Sequence, residues 1–161
     1  MSYEQSIMQL DGETVLAECG PMRLAIRAWQ NGKPQIDLCR QAAEVSFAYL
    51  EAVANHKTVL SDFTENIRVL PPNALAQRMV ESARAIGDMD LTPMAAVAGT
   101  IADAVADWLC GRGPNKVAVD NGGDIAIRLA AGETATVGIR PQINRFDISH
   151  IARLDDRSSS W

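Results

Sequence analysis

Residues 116–129 read KVAVDNGGDIAIRL, two alternating apolar runs around Asp120, Asn121, Gly122, Gly123 and Asp124. A hairpin can turn on two residues such as Asn-Gly, so two carboxylates, an amide and paired glycines exceed what a bare turn requires. Glycines let the backbone take conformations other residues avoid and let a ligand come close to the amides. A carboxylate at the lip can accept a hydrogen bond from a sugar or base, or help hold a metal. Two readings follow: a four-residue hairpin turn with a bulge, or a turn whose Asn121, Gly122, Gly123 and Asp124 face a ligand.

A second candidate precedes it. In TPMAAVAGTIADAVADWL, Thr92 suits the N-cap and Pro93 the first helical position, where a missing amide costs nothing. The start of this helix, at Thr92, Pro93, Met94 and Ala95, has free amides and a dipole that attract anions, and the small residues through Gly99 leave room for a phosphate-bearing ligand. Close packing of a small-residue helix under a sheet explains the same residues, and Asp88 and Asp90 just upstream would repel a phosphate. Asp103 and Asp107, four apart, read as a solvated helix face, since a metal would want further ligands. His56 and His150 each stand alone, without neighbours at metal-ligand spacing.

The elements that must position these residues follow from periodicity. Residues 14–19 and 22–29 read as two strands, with Met22, Leu24, Ile26 and Ala28 alternating against Arg23 and Arg27. From Ile36 to about Asn55 the period becomes helical, with Cys39, Ala43, Phe47 and Leu50 on one stripe. Residues 56–72 show no sustained period and read as a connection. A second helix is predicted over 73–86, stopped by Gly87, and a third from Thr92, with stripe Met94, Val97, Ile101, Val105 and Trp108. After the hairpin come strands over 134–141 and around 148–154. Strand pairs on both sides of a helical block predict an α+β domain, helices packed on one face of an antiparallel sheet.

The bulk properties narrow the function classes. The 161 residues suffice for one domain with a hydrophobic core. A net charge of −5, from 20 acids against 15 bases, argues against a nucleic-acid binder, which needs a basic surface. Cys19, Cys39 and Cys110 lie in apolar contexts without Cys-x-x-Cys spacing and read as buried free thiols. The start MSYEQSIMQLDGETV has no basic segment followed by an apolar core, and no window approaches the ~18 apolar residues of a membrane span. The expected location is the cytoplasm, with no membrane partner.

Together, TPMAAVAGTIADAV and VAVDNGGDIAI resemble the ApbE-like flavin-transferase superfamily, most closely a short, largely unassigned branch of it. Gly99 and Asp103 align with the Gly and later Asp of that superfamily's Ala-Lys-Gly helix motif. Gly122, Gly123 and Asp124 align with its Asn-x-Gly-Gly-Asp turn. The resemblance spans about residues 14 to 141 and implies a T-fold-like α+β layer that binds a flavin dinucleotide between the two motifs. The transferases use magnesium to break the pyrophosphate of FAD and move FMN onto a Thr or Ser of a target protein. Two departures bear on this chain: the motif Lys falls on Ala98, and family members continue into a segment with Asp and Thr metal ligands. The expectation is therefore a single domain over 1–161, equivalent to the N-terminal part of the family's length, with 142–161 as a tail of uncertain structure. It would bind FAD, FMN or another nucleotide, with Mg2+ as a possible cofactor, and associate as a homo-oligomer through exposed apolar surface. The alternative is an interaction or assembly module that keeps the fold without flavin chemistry.

Overall fold

The computed structural model describes residues 3–140, 144 and 148–158. Strand β1 (Gln5–Gln9) turns through an Asp11-centred loop into β2 (Val15–Cys19), which turns at Gly20-Pro21 into β3 (Met22–Gln30). The Asp11 carboxylate accepts hydrogen bonds from the Glu13 and Thr14 amides, at 2.8 and 2.7 Å, and from the Thr14 hydroxyl, which draws its pKa below the usual carboxylate value. The Asn31-Gly32 break leads to a two-residue strand, β4 (Lys33–Pro34), paired with the end of β3. The edge strand β1 went unread in the sequence because Gln-Ser-Ile-Met-Gln alternates too weakly in hydropathy.

The helical block opens with α1 (Ile36–Ala54), as its apolar stripe requires. The connection predicted over 56–72 contains a short helix, α2 (Lys57–Leu60), and a 3-10 turn at Thr64–Asn66. In α3 (Ala74–Ile86), the Asn73 side chain accepts from the Leu75 and Ala76 amides at 3.0 and 3.1 Å, a cap typically worth about 1 kcal/mol. Gly87, at φ 74°, ends it as predicted. The third predicted helix begins later than its N-cap signal implied. Pro93–Ala96 form a 3-10 turn, and α4 runs from Val97 to Cys110. Thr92 has the extended backbone of a cap residue, but its side chain makes no capping bond.

Strands β5 (Lys116–Asn121) and β6 (Asp124–Leu129) form the predicted hairpin, and β5 pairs antiparallel with β3 across the whole helical block. The large sheet therefore has the order β1-β2-β3-β5-β6, all antiparallel. β7 (Thr134–Ile139) and β8 (His150–Asp155) form a separate two-stranded sheet, so the last strand lies close to its expected place within the tail. Pro141, the predicted end of β7, and the terminal residues 159–161 lie outside the described residues.

The ladder puts Val15, Ala17, Leu24, Ile26, Val117 and Val119 on one buried face, against Ala43, Phe47, Ile101, Val105 and Leu109 of α1 and α4. This is the expected α+β layering. A second apolar cluster joins Val53, Leu60 and Ile67 to Ala76, Met79 and Val80 of α3. No described helix is long and apolar enough to cross a membrane.

Cys19 and Cys39 are buried free thiols, as read from their contexts, whereas Cys110 is a free thiol only half-buried. Burial pushes the Cys39 thiol from its ordinary 9.0 up to about 11. The raised value means that the folded chain keeps a proton which the unfolded chain releases first. The Cys39 contribution is thus complete below the unfolded value near pH 9 and lost as pH rises through about 11. Urea midpoints measured from about pH 8 to pH 11 should fall over that window. Cys39→Ala should lower the midpoint throughout and make the fall shallower.

Candidate functional site

The Asn121-Gly122-Gly123-Asp124 turn is tighter than the bulged four-residue form considered above. Asn121 and Asp124 are register partners, leaving Gly122 and Gly123 as a two-residue loop. Their φ values, 66° and 110°, are both positive, as primed hairpin turns demand and as side chains resist. The Gly123 amide donates to Asp120 Oδ1 at 2.8 Å, so one of the two carboxylates closes the loop. The Asn121 side chain is buried, 7% exposed, and its Nδ2 donates to the Ala98 carbonyl at 3.1 Å. That bond ties the base of the hairpin to the first turn of α4.

Asp124 is left over. It is exposed, and its side chain has no hydrogen bond or ion pair with any described residue. Alternation along β6 sets it on the same face as buried Ala126 and ion-paired Arg128, the face that α4 covers. It is also the cross-strand partner of Asn121, the residue bonded to Ala98. Side-chain positions at Gly99, Gly122 and Gly123 would each meet nothing within 4 Å, so open space adjoins both the turn and the helix.

The segment 92–95 contributes less than its sequence suggests. Pro93 is buried, and Met94 packs on the apolar cluster of α3. The Ala95 amide is taken by the Thr92 carbonyl at 3.1 Å. Thr92 remains half-buried and Ala95 exposed. The structure therefore brings together Gly99, Ala98 and the hairpin base, and it turns Pro93 and Met94 inward.

Farther along the same face of α4 lies a cluster that the sequence reading missed. Arg128 of β6 donates to Asp107 Oδ1 and Asp103 Oδ1, each at 2.8 Å. Arg78 of α3 approaches Asp103 Oδ2 at 3.3 Å and Asp107 Oδ2 at 3.7 Å. Burial opposes the charge on Arg128, but the bonds to Asp107 and Asp103 outweigh it and hold the guanidinium above its ordinary value. Asp103, half-buried, and Asp107, exposed, thus keep the partly solvated face read from their spacing, but it is a paired one. Their oxygens are engaged by two arginines, and the described residues contain no group of three or more potential ligands that could hold a metal. The signal available in the sequence was Arg128 itself, a charge on the inward face of a strand, which calls for a partner. His56 Nδ1 donates to the Ala52 carbonyl at 2.9 Å, and His150 Nδ1 hydrogen-bonds the hydroxyl of its neighbour Ser149 at 2.9 Å.

Two surface hollows lie elsewhere. One, of about 410 Å3, is bordered by Thr64, Arg68, Arg84 and Asp88; the other, of about 550 Å3, lies on the β7–β8 sheet beside Thr136 and Arg153. Neither is lined by residues 92–99 or 120–124. A family model described as AbpE bacteria matches residues 7–158, which covers every element named above except the first two residues of β1. No curated protein matches the chain.

The turn makes a graded prediction. Gly123→Ala should destabilise more than Gly122→Asn, because asparagine tolerates φ near 66° whereas alanine at 110° is strained. Asn121→Leu should cost about 1–3 kcal/mol by removing the bond to Ala98. Denaturant midpoints of the three variants test the order.

Proposed function

Taking the chain as a member of the AbpE bacteria family over nearly its whole length, we propose that it is a flavin- or nucleotide-binding protein built on an ApbE-like, T-fold-like layer. The observation that carries this reading is Asp124. The Asp120 and Asn121 side chains each have a structural partner, whereas this carboxylate has none among the described residues, on the helix-covered side of β6, beside open space at Gly99 and the glycine loop. Asp124 accepts a hydrogen bond from a ribityl or ribose hydroxyl, and the bare backbone at Gly99, Gly122 and Gly123 admits the ligand without a side chain in the way.

Binding is better supported than FMN transfer. The motif Lys falls at Ala98, and the neighbouring guanidiniums of Arg78 and Arg128 are already neutralised by Asp103 and Asp107. The same pairing occupies Asp103 and Asp107, the two carboxylates of α4. The second reading, an interaction or assembly module without flavin, draws on a specific observation: Asp120 and Asn121 account for the turn without any ligand.

Thermal shifts with FAD, FMN and ATP, each with and without magnesium, separate the two. The proposal expects FAD or FMN to raise the melting temperature. Asp124→Asn should abolish that rise and leave the ligand-free melting temperature unchanged, because Asp124 holds nothing in the fold. Gly99→Ala should stabilise the free protein by about 0.5–1 kcal/mol while weakening the ligand shift. No shift with any of the three ligands at saturation would favour the interaction module.

A further inference from the structure

β1 ends the large sheet, with β2 on one side and no described strand on the other. The direction of its backbone groups follows from its hairpin. The Leu10 amide donates to the Thr14 carbonyl at 2.9 Å, and the same register continues through Met8↔Leu16 and Ser6↔Glu18. Opposed residues in an antiparallel ladder alternate between pairs that exchange both hydrogen bonds and pairs that exchange none. Ser6, Met8 and Leu10 therefore bond to β2, and the N–H and C=O groups of Gln5, Ile7 and Gln9 point out of the free edge.

Such edges are usually guarded by a Lys, a Pro, a bulge or a covering segment. Gln5–Gln9 carries no charge and no proline, and Tyr3, Met8 and Leu10 beside it are exposed apolar side chains. The stretch Gln-Ser-Ile-Met-Gln also reads nearly alike in both directions about Ile7.

We propose that this edge pairs with β1 of a second copy of the chain, antiparallel across a two-fold axis through Ile7. The symmetry aligns all three outward-pointing residues: Gln5 with Gln9 of the second copy, Ile7 with Ile7, and Gln9 with Gln5. Each pair exchanges two bonds, giving about six backbone hydrogen bonds in all. Centring the axis on Ser6 or Met8 aligns only two of the three, and a one-residue slip sets outward groups against inward ones. On the helix-covered face, half-buried Ile7 already packs against the main core, and its symmetry mate extends that contact across the axis. On either side of it the Gln9 side chain, held in its own chain by Arg40 at 2.7 Å and by the Asp11 carbonyl at 2.9 Å, lies beside Gln5 of the second copy, so the pairing rests on the backbone bonds and on Ile7. A second copy is favoured over an unrelated strand because its side chains and outward groups complement this edge by symmetry. This interface is independent of the nucleotide reading.

Light scattering combined with amide hydrogen exchange on the full chain tests it. The expected mass rises with concentration toward twice 17.4 kDa. The Ile7 amide becomes protected with it, while Met8 is protected at every concentration by its bond to β2. Gln5→Pro removes an outward donor at each end without taking a bond from β2, and should weaken association at least about tenfold, two hydrogen bonds' worth. Ile7→Lys should leave a monomer, with Met8 protection showing that the fold survives; if that variant unfolds, Gln5→Pro decides. A mass that stays at 17.4 kDa, an Ile7 amide exchanging as in an unstructured chain, or a dimer indifferent to Gln5→Pro would each overturn the proposal.

Discussion

Helix α4 must fit between the sheet and two other helices, and that constraint organises the molecule. Residues Ile101, Ala102, Val105, Ala106 and Leu109 are all buried, so most of the helix circumference meets protein. Alanines and Gly99 keep its radius small enough for close approach, and the removal of so much apolar surface from water supplies the driving force. Once α4 is seated, β3 and β5 can pair beneath it although 85 residues of sequence separate Gln30 from Lys116 at most by a helical excursion. The sheet order β1-β2-β3-β5-β6 is the consequence.

Polar groups around α4 divide into those that hold the fold and one that does not. Asn121 reaches back to Ala98, and Asp120 closes the glycine loop. The Arg78, Arg128, Asp103 and Asp107 cluster ties α3, α4 and β6 together with alternating charges. Because its members are half-exposed, it contributes more to orientation than to stability, as partly solvated ion pairs do. Asp124 stands apart from both sets. It is an exposed carboxylate on the strand face that α4 covers, and the fold itself does not use it.

Local signals were legible wherever one residue's chemistry sufficed. Gly87 stops α3 as its conformational freedom allows, and the alternation of Met22, Leu24, Ile26 and Ala28 marked β3 without help from any neighbour. Signals that depended on a partner were harder to read. Thr92 has the composition of a cap, yet the chain enters α4 through a 3-10 turn because Pro93 and Met94 are drawn into the core. The Asp103–Asp107 pair read as a solvated face and stays partly solvated, but its spacing did not announce the arginines that β6 and α3 bring to it.

By itself, the sequence determined the three long helices, the strands other than β1 and β4, their order and a glycine turn, because periodicity and positive φ are properties of short segments. It also settled the acidic balance and the free thiols. Tertiary structure alone decided that β5 joins β3, that Asn121 is a strut, that Asp103 and Asp107 are neutralised, and that Asp124 is spare. Those outcomes rest on which side chains meet across long separations, and distance along the chain does not encode which partner will satisfy a buried polar group.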